Sequence, residues 1–224
     1  MNNSQQTFMQ NSLCPSCGQE LRLSRPGIIL TGGTCVGKST VLNELRERGY
    51  TVIQEAAKAV IRENELKPGC NRGPLQEQIF ARQLEWESKF YSCACNPESG
   101  PVFADRCLID SMTYADHFGT PVSQELRESL PALAKLRYDK AFLFENLGFF
   151  EATDGRVESP EQGLAFSLLM SEKLRDNYRH YQIPTVAVRA MPVAERVQFI
   201  LEECGLALSG KQKHWEYIQR LTHF

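Results

Sequence analysis

The sequence predicts an α/β fold built on a doubly wound sheet of five parallel strands, with helices on both faces. Three observations predict it. Short apolar runs recur along the chain, segments with helical spacing of apolar residues alternate with them, and glycine-rich or charged residues follow the ends of the runs. Because ligands of such folds bind at the carboxyl ends of the strands, we look for functional residues there.

Composition and charge favour one domain that binds a small anion. The chain has 224 residues, 42% of them hydrophobic, which suffices for one α/β core but not for two. A net charge of −2 gives no reason to expect a nucleic-acid partner. No apolar run approaches the roughly 18 residues of a membrane span, and residues 1–12 lack the apolar core of a signal peptide. We therefore expect a cytoplasmic protein with no membrane span.

Strands and helices alternate along the central part of the chain. We expect strands at residues 28–30, 51–54, 101–105, 141–144 and 185–188. Helices are expected at residues 40–48, 56–64, 75–91, 111–118, 123–136, 160–181 and 193–203. This order divides the chain into an N-terminal tail (1–26), a nucleotide-binding domain (27–204) and a C-terminal helical tail (205–224).

A glycine-rich loop follows the first strand, and its spacing is Gly, four residues, Gly-Lys-Ser. This is the pattern of a P-loop, in which a strand, a glycine loop and a helix N-terminus together cradle phosphate groups. A glycine turn that binds nothing is the alternative, but the flanking strand and helix stand in the order that a P-loop requires. The nucleotide-binding residues are then Gly32, Gly33, Thr34, Cys35, Val36, Gly37, Lys38, Ser39 and Thr40.

Two side chains of the loop have defined roles in this interpretation. Lys38 neutralises β- and γ-phosphate oxygens, and the Ser39 hydroxyl holds Mg²⁺. No Asn-Lys-x-Asp motif, which reads guanine, is present. The predicted ligands are therefore ATP and Mg²⁺.

Charged residues end the second and third strands. Glu55 follows strand two, which we expect directly beside strand one, and its carboxylate could accept a hydrogen bond from a substrate; a helix-capping glutamate is the alternative. Asp105 and Arg106 follow a wholly apolar strand. Asp105 could orient Mg²⁺ or take the proton of an attacking hydroxyl, and Arg106 could bind a transferred or acceptor phosphate. A salt bridge at the edge of the core is the alternative for this pair.

A polar loop with the sequence Thr-Asp-Gly-Arg follows strand four and ends at Arg156. Phosphoryl transfer spreads negative charge over the equatorial oxygens. A lid loop that delivers Arg156 would stabilise this charge and exclude water. A solvated loop arginine is the alternative.

Two cysteine pairs suggest a structural zinc site. Cys14 and Cys17 flank a Pro-Ser turn, as in one knuckle of a zinc ribbon, and Cys93 and Cys95 precede strand three. Both segments enter strands at the edge opposite the nucleotide, so the pairs could meet there. Free surface thiols are the alternative, and Cys70 could replace one ligand.

Taken in order, these motifs resemble a known group of proteins. Five motifs together resemble the AAA-type ATPase/kinase-like P-loop family that includes bacterial ribosylnicotinamide kinase domains. They are the glycine loop, Glu55-Ala-Ala-Lys58, Asp105-Arg106 with Asp110, Asp154-Gly-Arg156 and Glu195-Arg196-Val197. Thymidylate and deoxynucleoside kinases are similar more loosely. The resemblance covers roughly residues 27–204 and implies a P-loop NTPase fold with a lid.

The resemblance implies ATP-dependent phosphorylation of a small acceptor, such as a nucleoside, a nucleotide or a related metabolite. Lys38, Asp105, Arg106 and Arg156 would be catalytic, and the acceptor would contact Glu55, Asp105, Arg106 and Asp110. The alternative is a nucleotide-dependent switch that binds a protein or lipid partner and phosphorylates no acceptor. A homodimer through the 123–136 helix or the C-terminal tail stays open.

Overall fold

A single parallel sheet of five strands organises the structure, a computed structural model that describes residues 26–64, 75–88, 100–147 and 159–206. The strand order is β2-β3-β1-β4-β5, and every pairing is parallel. The strands are β1 (Gly27–Gly32), β2 (Thr51–Ile53), β3 (Val102–Asp105), β4 (Lys140–Phe144) and β5 (Thr185–Val188). This confirms the predicted α/β fold class.

Helices connect the strands as predicted. They are α1 (Lys38–Glu47), α2 (Ala56–Glu63), α3 (Gln76–Ser88), α4 (Leu108–Phe118), α5 (Gln124–Arg137), α6 (Pro160–His180) and α7 (Val193–Glu203). The fourth begins three residues before its expected start, because Asp110 Oδ2 accepts a 3.3 Å hydrogen bond from the Cys107 backbone N–H and caps the first turn.

The three central strands, β1, β3 and β4, bury both faces of the sheet. Alternate residues of a strand point to opposite faces, so Ile29 packs with residues of α3 to α6, while Ile28 and Leu30 pack with residues of α1 and α7. A smaller cluster joins α2 to α3. The near-continuous apolar strands are what a sheet covered on both faces requires.

The expected position of the second strand was wrong. We placed β2 directly beside β1, but β3 lies between them, with Ile28 opposite Phe103. Burial explains the order, since all four residues of β3 are buried whereas Thr51 and Val52 of β2 are half-buried, as suits an edge strand. As a result Asp105, rather than Glu55, ends the strand next to the glycine loop.

Several predicted features fall outside the described residues. These include residues 1–25, residues 207–224, the lid arginine Arg156, and Cys14, Cys17, Cys70, Cys93 and Cys95. Within the described ranges no helix is long and apolar enough to cross a membrane.

Candidate active site

The glycine loop turns sharply between the end of β1 and the start of α1. Cys35 has φ 58° and Gly37 has φ 82°, so the backbone passes twice through the left-handed region. Helix α1 begins at Lys38, and no acidic side chain lies in its first turn. The positive end of this helix therefore faces the loop, as an anion site requires.

Lys38 is folded back onto the loop in this structure. Its ammonium donates hydrogen bonds to the carbonyl oxygens of Gly33 (2.6 Å) and Gly32 (3.3 Å), and the side chain is buried. Burial and the nearby Arg106 charge lower the pKa of Lys38 to about 8, against the opposing effect of the surrounding carboxylates. Nucleotide phosphates would give this ammonium an anionic acceptor in place of the two backbone carbonyls to which it donates here.

Ser39 and Asp105 meet directly. The Ser39 hydroxyl donates a 2.8 Å hydrogen bond to Oδ2 of Asp105. The other carboxylate oxygen, Oδ1, is buried and has no hydrogen-bond partner among the described residues. Burial and the nearby negative charge of Glu55 raise the pKa of Asp105. The structure thus brings two of the predicted residues together at the end of the loop.

These two residues fit a magnesium ion. Mg²⁺ prefers hard oxygen ligands, and a P-loop supplies them through its serine hydroxyl together with an acidic side chain nearby. Asp105 Oδ1 is an oxygen that this structure leaves without a partner. No cluster of three or more His, Cys, Asp or Glu residues with metal-binding geometry occurs within the described ranges.

Arg106 is held from several sides. Its guanidinium donates to Glu55 Oε1 (3.0 Å), to the Gly32 carbonyl (3.2 Å) and to Asp110 Oδ1 (3.3 Å). It also lies 4.8 Å from the centre of the Tyr114 ring. Its φ of 71° is unusual for a residue other than glycine, and such strain persists only where the surroundings impose it. Arg106 is therefore a rigid positive charge beside the glycine loop.

Glu55 stays ionised in this setting. Burial raises its pKa, but the charges of Arg106, Lys58 and Lys38 outweigh burial and lower the pKa to about 2. Glu55 reaches the site through its side chain, which contacts Arg106 and Lys58. Its strand, β2, lies one position further from the glycine loop than expected.

The position of Asp110 differs from the expectation of a substrate contact. Its side chain is fully buried, and it accepts hydrogen bonds from Thr31 Oγ1 (2.7 Å), the Tyr178 hydroxyl (2.6 Å) and Arg106 (3.3 Å). Within the described residues these donors enclose the carboxylate, so its role as a substrate contact stays a prediction. Its hydrogen bond from Arg106 helps to hold the guanidinium in place.

The sequence interpretation assigned no role in the site to four residues that contact it. Lys58 donates a 2.6 Å hydrogen bond to the Ser39 hydroxyl. Ser171 Oγ accepts a hydrogen bond from the Gly33 N–H (2.9 Å), and Ser167 Oγ donates one to the Thr34 carbonyl (2.9 Å). Arg196 donates to the Val36 carbonyl (3.1 Å). Lys58 and Arg196 carried a signal, because both lie in motifs on which the resemblance rests. Lys58 also lies about one helical turn after Glu55, the residue that caps α2.

Together, the buried strand, the glycine loop with its lysine and serine, and the acidic residue ending the neighbouring strand define a P-loop NTPase. The chain belongs to the AAA domain family, whose model matches residues 27–196. No curated protein sequence matches it.

Solved structures show the same fold at low sequence identity. NadR in complex with NAD and AMP-PNP has a TM-score of 0.56 and 15% identity, over 81% of this chain and 50% of that one. Thymidylate kinase from Ehrlichia chaffeensis has a TM-score of 0.56 and 12% identity, over 80% and 98%. Thymidylate kinase from Candida albicans has a TM-score of 0.53 and 13% identity, over 82% and 92%. The chain thus spans about half the length of NadR, and these likenesses show the fold.

Proposed function

We propose that the protein transfers the γ-phosphoryl group of ATP, with the help of Mg²⁺, to a small acceptor such as a nucleoside, a nucleotide or a related metabolite. The observation that carries this proposal is the position of Arg106. It joins the carbonyl of Gly32, in the glycine loop, to the carboxylate of Glu55, with contacts of 3.2 and 3.0 Å. A charged pair that could receive an acceptor therefore adjoins the donor loop.

The structural neighbours agree with this chemistry. Two of them are thymidylate kinases, and NadR was solved with a nucleotide analogue and with NAD. All three share the fold on which the glycine loop and the Asp-Arg pair of this chain lie. The acceptor that this chain would bind depends on its own side chains at the site and not on the substrates of these neighbours.

On the donor side, Lys38 and the backbone N–H groups of the loop would hold the phosphates. Ser39 and Asp105 would hold the ion, and bound Mg²⁺ neutralises negative charge on the phosphoryl oxygens. Arg106 supplies a fixed positive charge at the acceptor side. Arg156, in the lid loop that the sequence predicts, would add a second positive charge once the nucleotide is bound.

On the acceptor side, Glu55 would accept a hydrogen bond from the acceptor hydroxyl and orient it. The new bond joins the acceptor oxygen to the γ-phosphorus, the bond from that phosphorus to the leaving oxygen of ADP breaks, and the hydroxyl proton passes to Glu55. A pKa of about 2 makes Glu55 a weak base. It suffices because the hydroxyl becomes strongly acidic once the loose transition state has been passed.

ADP release in the presence of different acceptors tests the proposal. We expect purified protein to release ADP only when one acceptor of a panel of nucleosides, nucleotides and riboside vitamins is added. Asp105→Asn and Glu55→Gln should each lower the rate by about a hundredfold. ADP release that is independent of every acceptor and survives Asp105→Asn would contradict the proposal and favour a nucleotide-dependent switch.

We also propose a structural zinc ion bound by Cys14, Cys17, Cys93 and Cys95. The register of the sheet supports it, because Gly27 and Val102, which the two cysteine segments precede, lie opposite each other on adjacent strands. Elemental analysis should find one zinc per chain in wild type and less in Cys14→Ser. Zinc absent from both proteins would rule the site out.

The remaining proposals concern the setting of the enzyme. We propose a cytoplasmic protein whose ligands are small molecules rather than nucleic acids, in line with the net charge of −2. A homodimer is part of this proposal, and light scattering of the purified protein would test it.

A further inference from the structure

The ammonium group of Lys58 lies at the proposed metal site. Its ammonium donates a 2.6 Å hydrogen bond to the Ser39 hydroxyl and forms a 3.1 Å ion pair with Glu55 Oε2. The same Ser39 hydroxyl donates to Asp105 Oδ2 at 2.8 Å. The ammonium therefore binds the hydroxyl that a P-loop offers to magnesium, next to two carboxylates.

Lys58 differs from Lys38 in how firmly it is held. Lys38 is buried beneath the loop, whereas the side chain of Lys58 is 55% exposed. An exposed lysine can swing into solvent at the cost of one surface ion pair and one hydrogen bond, both of which are weak because water competes for them. Lys58 can therefore leave the site while the fold stays intact.

Glu55 and Asp105 need a cation between the strand ends. Each carries a negative charge when ionised, and the charge of Glu55 acts directly on Asp105, whose pKa it raises. Lys58 contacts Glu55 and the Ser39 hydroxyl that donates to Asp105, so it lies where the two carboxylates repel each other. Arg106 neutralises Glu55 from one side through Oε1, and Lys58 from the other through Oε2.

We propose that Lys58 is a placeholder for the magnesium ion. It holds Ser39 and Glu55 in position while no nucleotide is bound, and it is displaced when Mg²⁺ enters with ATP. This inference rests on the proposed function in one respect, namely that Mg²⁺ accompanies the nucleotide. Its consequence is that the nucleotide-free protein binds Mg²⁺ weakly, because the ion must first displace an ammonium.

Calorimetric titration of MgCl₂ into the nucleotide-free protein tests the proposal. Lys58→Met should bind Mg²⁺ about threefold to tenfold more tightly than wild type, since displacing Lys58 costs roughly one ion pair and one hydrogen bond. Lys58→Arg, which keeps the charge, should bind as weakly as wild type. The matched control is Arg62→Met, which removes an exposed cation from the same helix and should change the affinity less than about twofold.

Thermal unfolding tests the same proposal without a binding titration. In EDTA, Lys58→Met should unfold at a lower temperature than wild type, and added Mg²⁺ should raise its unfolding temperature more. Unchanged or weaker Mg²⁺ binding in Lys58→Met, or an equal gain in Arg62→Met, would overturn the proposal. Since neither measurement contains ATP or an acceptor, its outcome stays separate from that of the kinase assay.

Discussion

The Tyr178 hydroxyl donates a 2.6 Å hydrogen bond to Oδ2 of Asp110, which stands 68 residues earlier in the chain. The other oxygen of the same carboxylate accepts from Thr31 Oγ1 and from Arg106. One buried carboxylate thus connects helix α6 to the strand that precedes the glycine loop and to the arginine of the acceptor side. Through Asp110, Tyr178 helps to position Arg106.

Tyr178→Phe tests this connection. The change leaves the ring but deprives a buried carboxylate of a donor, which should lower the free energy of unfolding by about 1–3 kcal/mol. Because Arg106 loses part of its support, kcat should fall by about tenfold while KM for ATP changes little. Urea unfolding and steady-state kinetics measure the two effects.

Tyr50→Phe is the matched control, because Tyr50 packs against the other face of the sheet. It should leave kcat within about twofold of wild type, as expected for a change distant from Arg106. If Tyr178→Phe lowered stability but left kcat unchanged, Tyr178 would support the fold alone.

The two serines of α6 should affect nucleotide binding. In Ser171→Ala the Gly33 N–H loses its acceptor, and in Ser167→Ala the Thr34 carbonyl loses a donor. Each change should weaken ATP binding up to about tenfold, because the loop is less well ordered before the nucleotide arrives. Ser129→Ala, which removes a local hydrogen bond within α5, serves as the control and should bind ATP like wild type. Equal affinities for all four proteins would show that α6 does not order the loop.

The pKa of Lys38 predicts a pH dependence of stability. Between about 8 and 10.5 the folded protein has lost the Lys38 proton while the unfolded chain still binds it, so the free energy of unfolding rises with pH in this window. Lys38→Met removes this group. Its stability relative to wild type should therefore decline by about 2 kcal/mol from about pH 7.5 to about pH 9.5.

Urea unfolding of the nucleotide-free proteins at the two pH values measures this difference. Comparing the two proteins cancels the contributions of other groups that titrate in the same range, such as tyrosines and cysteines. A difference that stays constant with pH would mean that the pKa of Lys38 is not lowered.

A buried ion pair anchors α3 beneath the sheet. Arg137 donates a 2.9 Å hydrogen bond to Glu87 Oε2, and the side chains are 1% and 6% exposed. Arg137→Met should lower the free energy of unfolding by about 3–5 kcal/mol, because the buried Glu87 loses its counter-charge. The double variant Glu87→Met with Arg137→Met should be less destabilised than Arg137→Met alone.

The exposed pair of Arg127 and Asp116 offers a comparison, since both side chains are more than 40% exposed. Arg127→Met should cost less than about 1 kcal/mol. Equal effects of Arg127→Met and Arg137→Met in urea unfolding would argue against a special role for the buried pair.

Short sequence motifs predicted those parts of the candidate site whose residues are close together in the sequence. The glycine loop and the Asp105-Arg106 pair were found because their residues are adjacent in sequence and follow apolar runs. The strand order was missed because neighbouring strands need not be consecutive in the chain. The one sign in the sequence that β2 lies at the edge of the sheet was Thr51, a polar residue at the start of an otherwise apolar strand.

The supporting residues depend on distant contacts. Asp110 is predicted as a substrate contact, and nothing near it in the sequence shows that Tyr178 and Thr31 enclose its carboxylate. Ser167 and Ser171 reach the glycine loop from more than 130 residues away. Lys58 stands three residues after Glu55, and its ion pair could have been read from helical spacing.

The fate of the γ-phosphate tests the central claim most directly. Protein incubated with ATP labelled at the γ-phosphate, Mg²⁺ and the acceptor that stimulates ADP release should transfer the label to that acceptor, one label for each ADP formed, and Asp105→Asn should slow the transfer by about a hundredfold. Recovery of the label as inorganic phosphate, with none on any acceptor, would contradict the account.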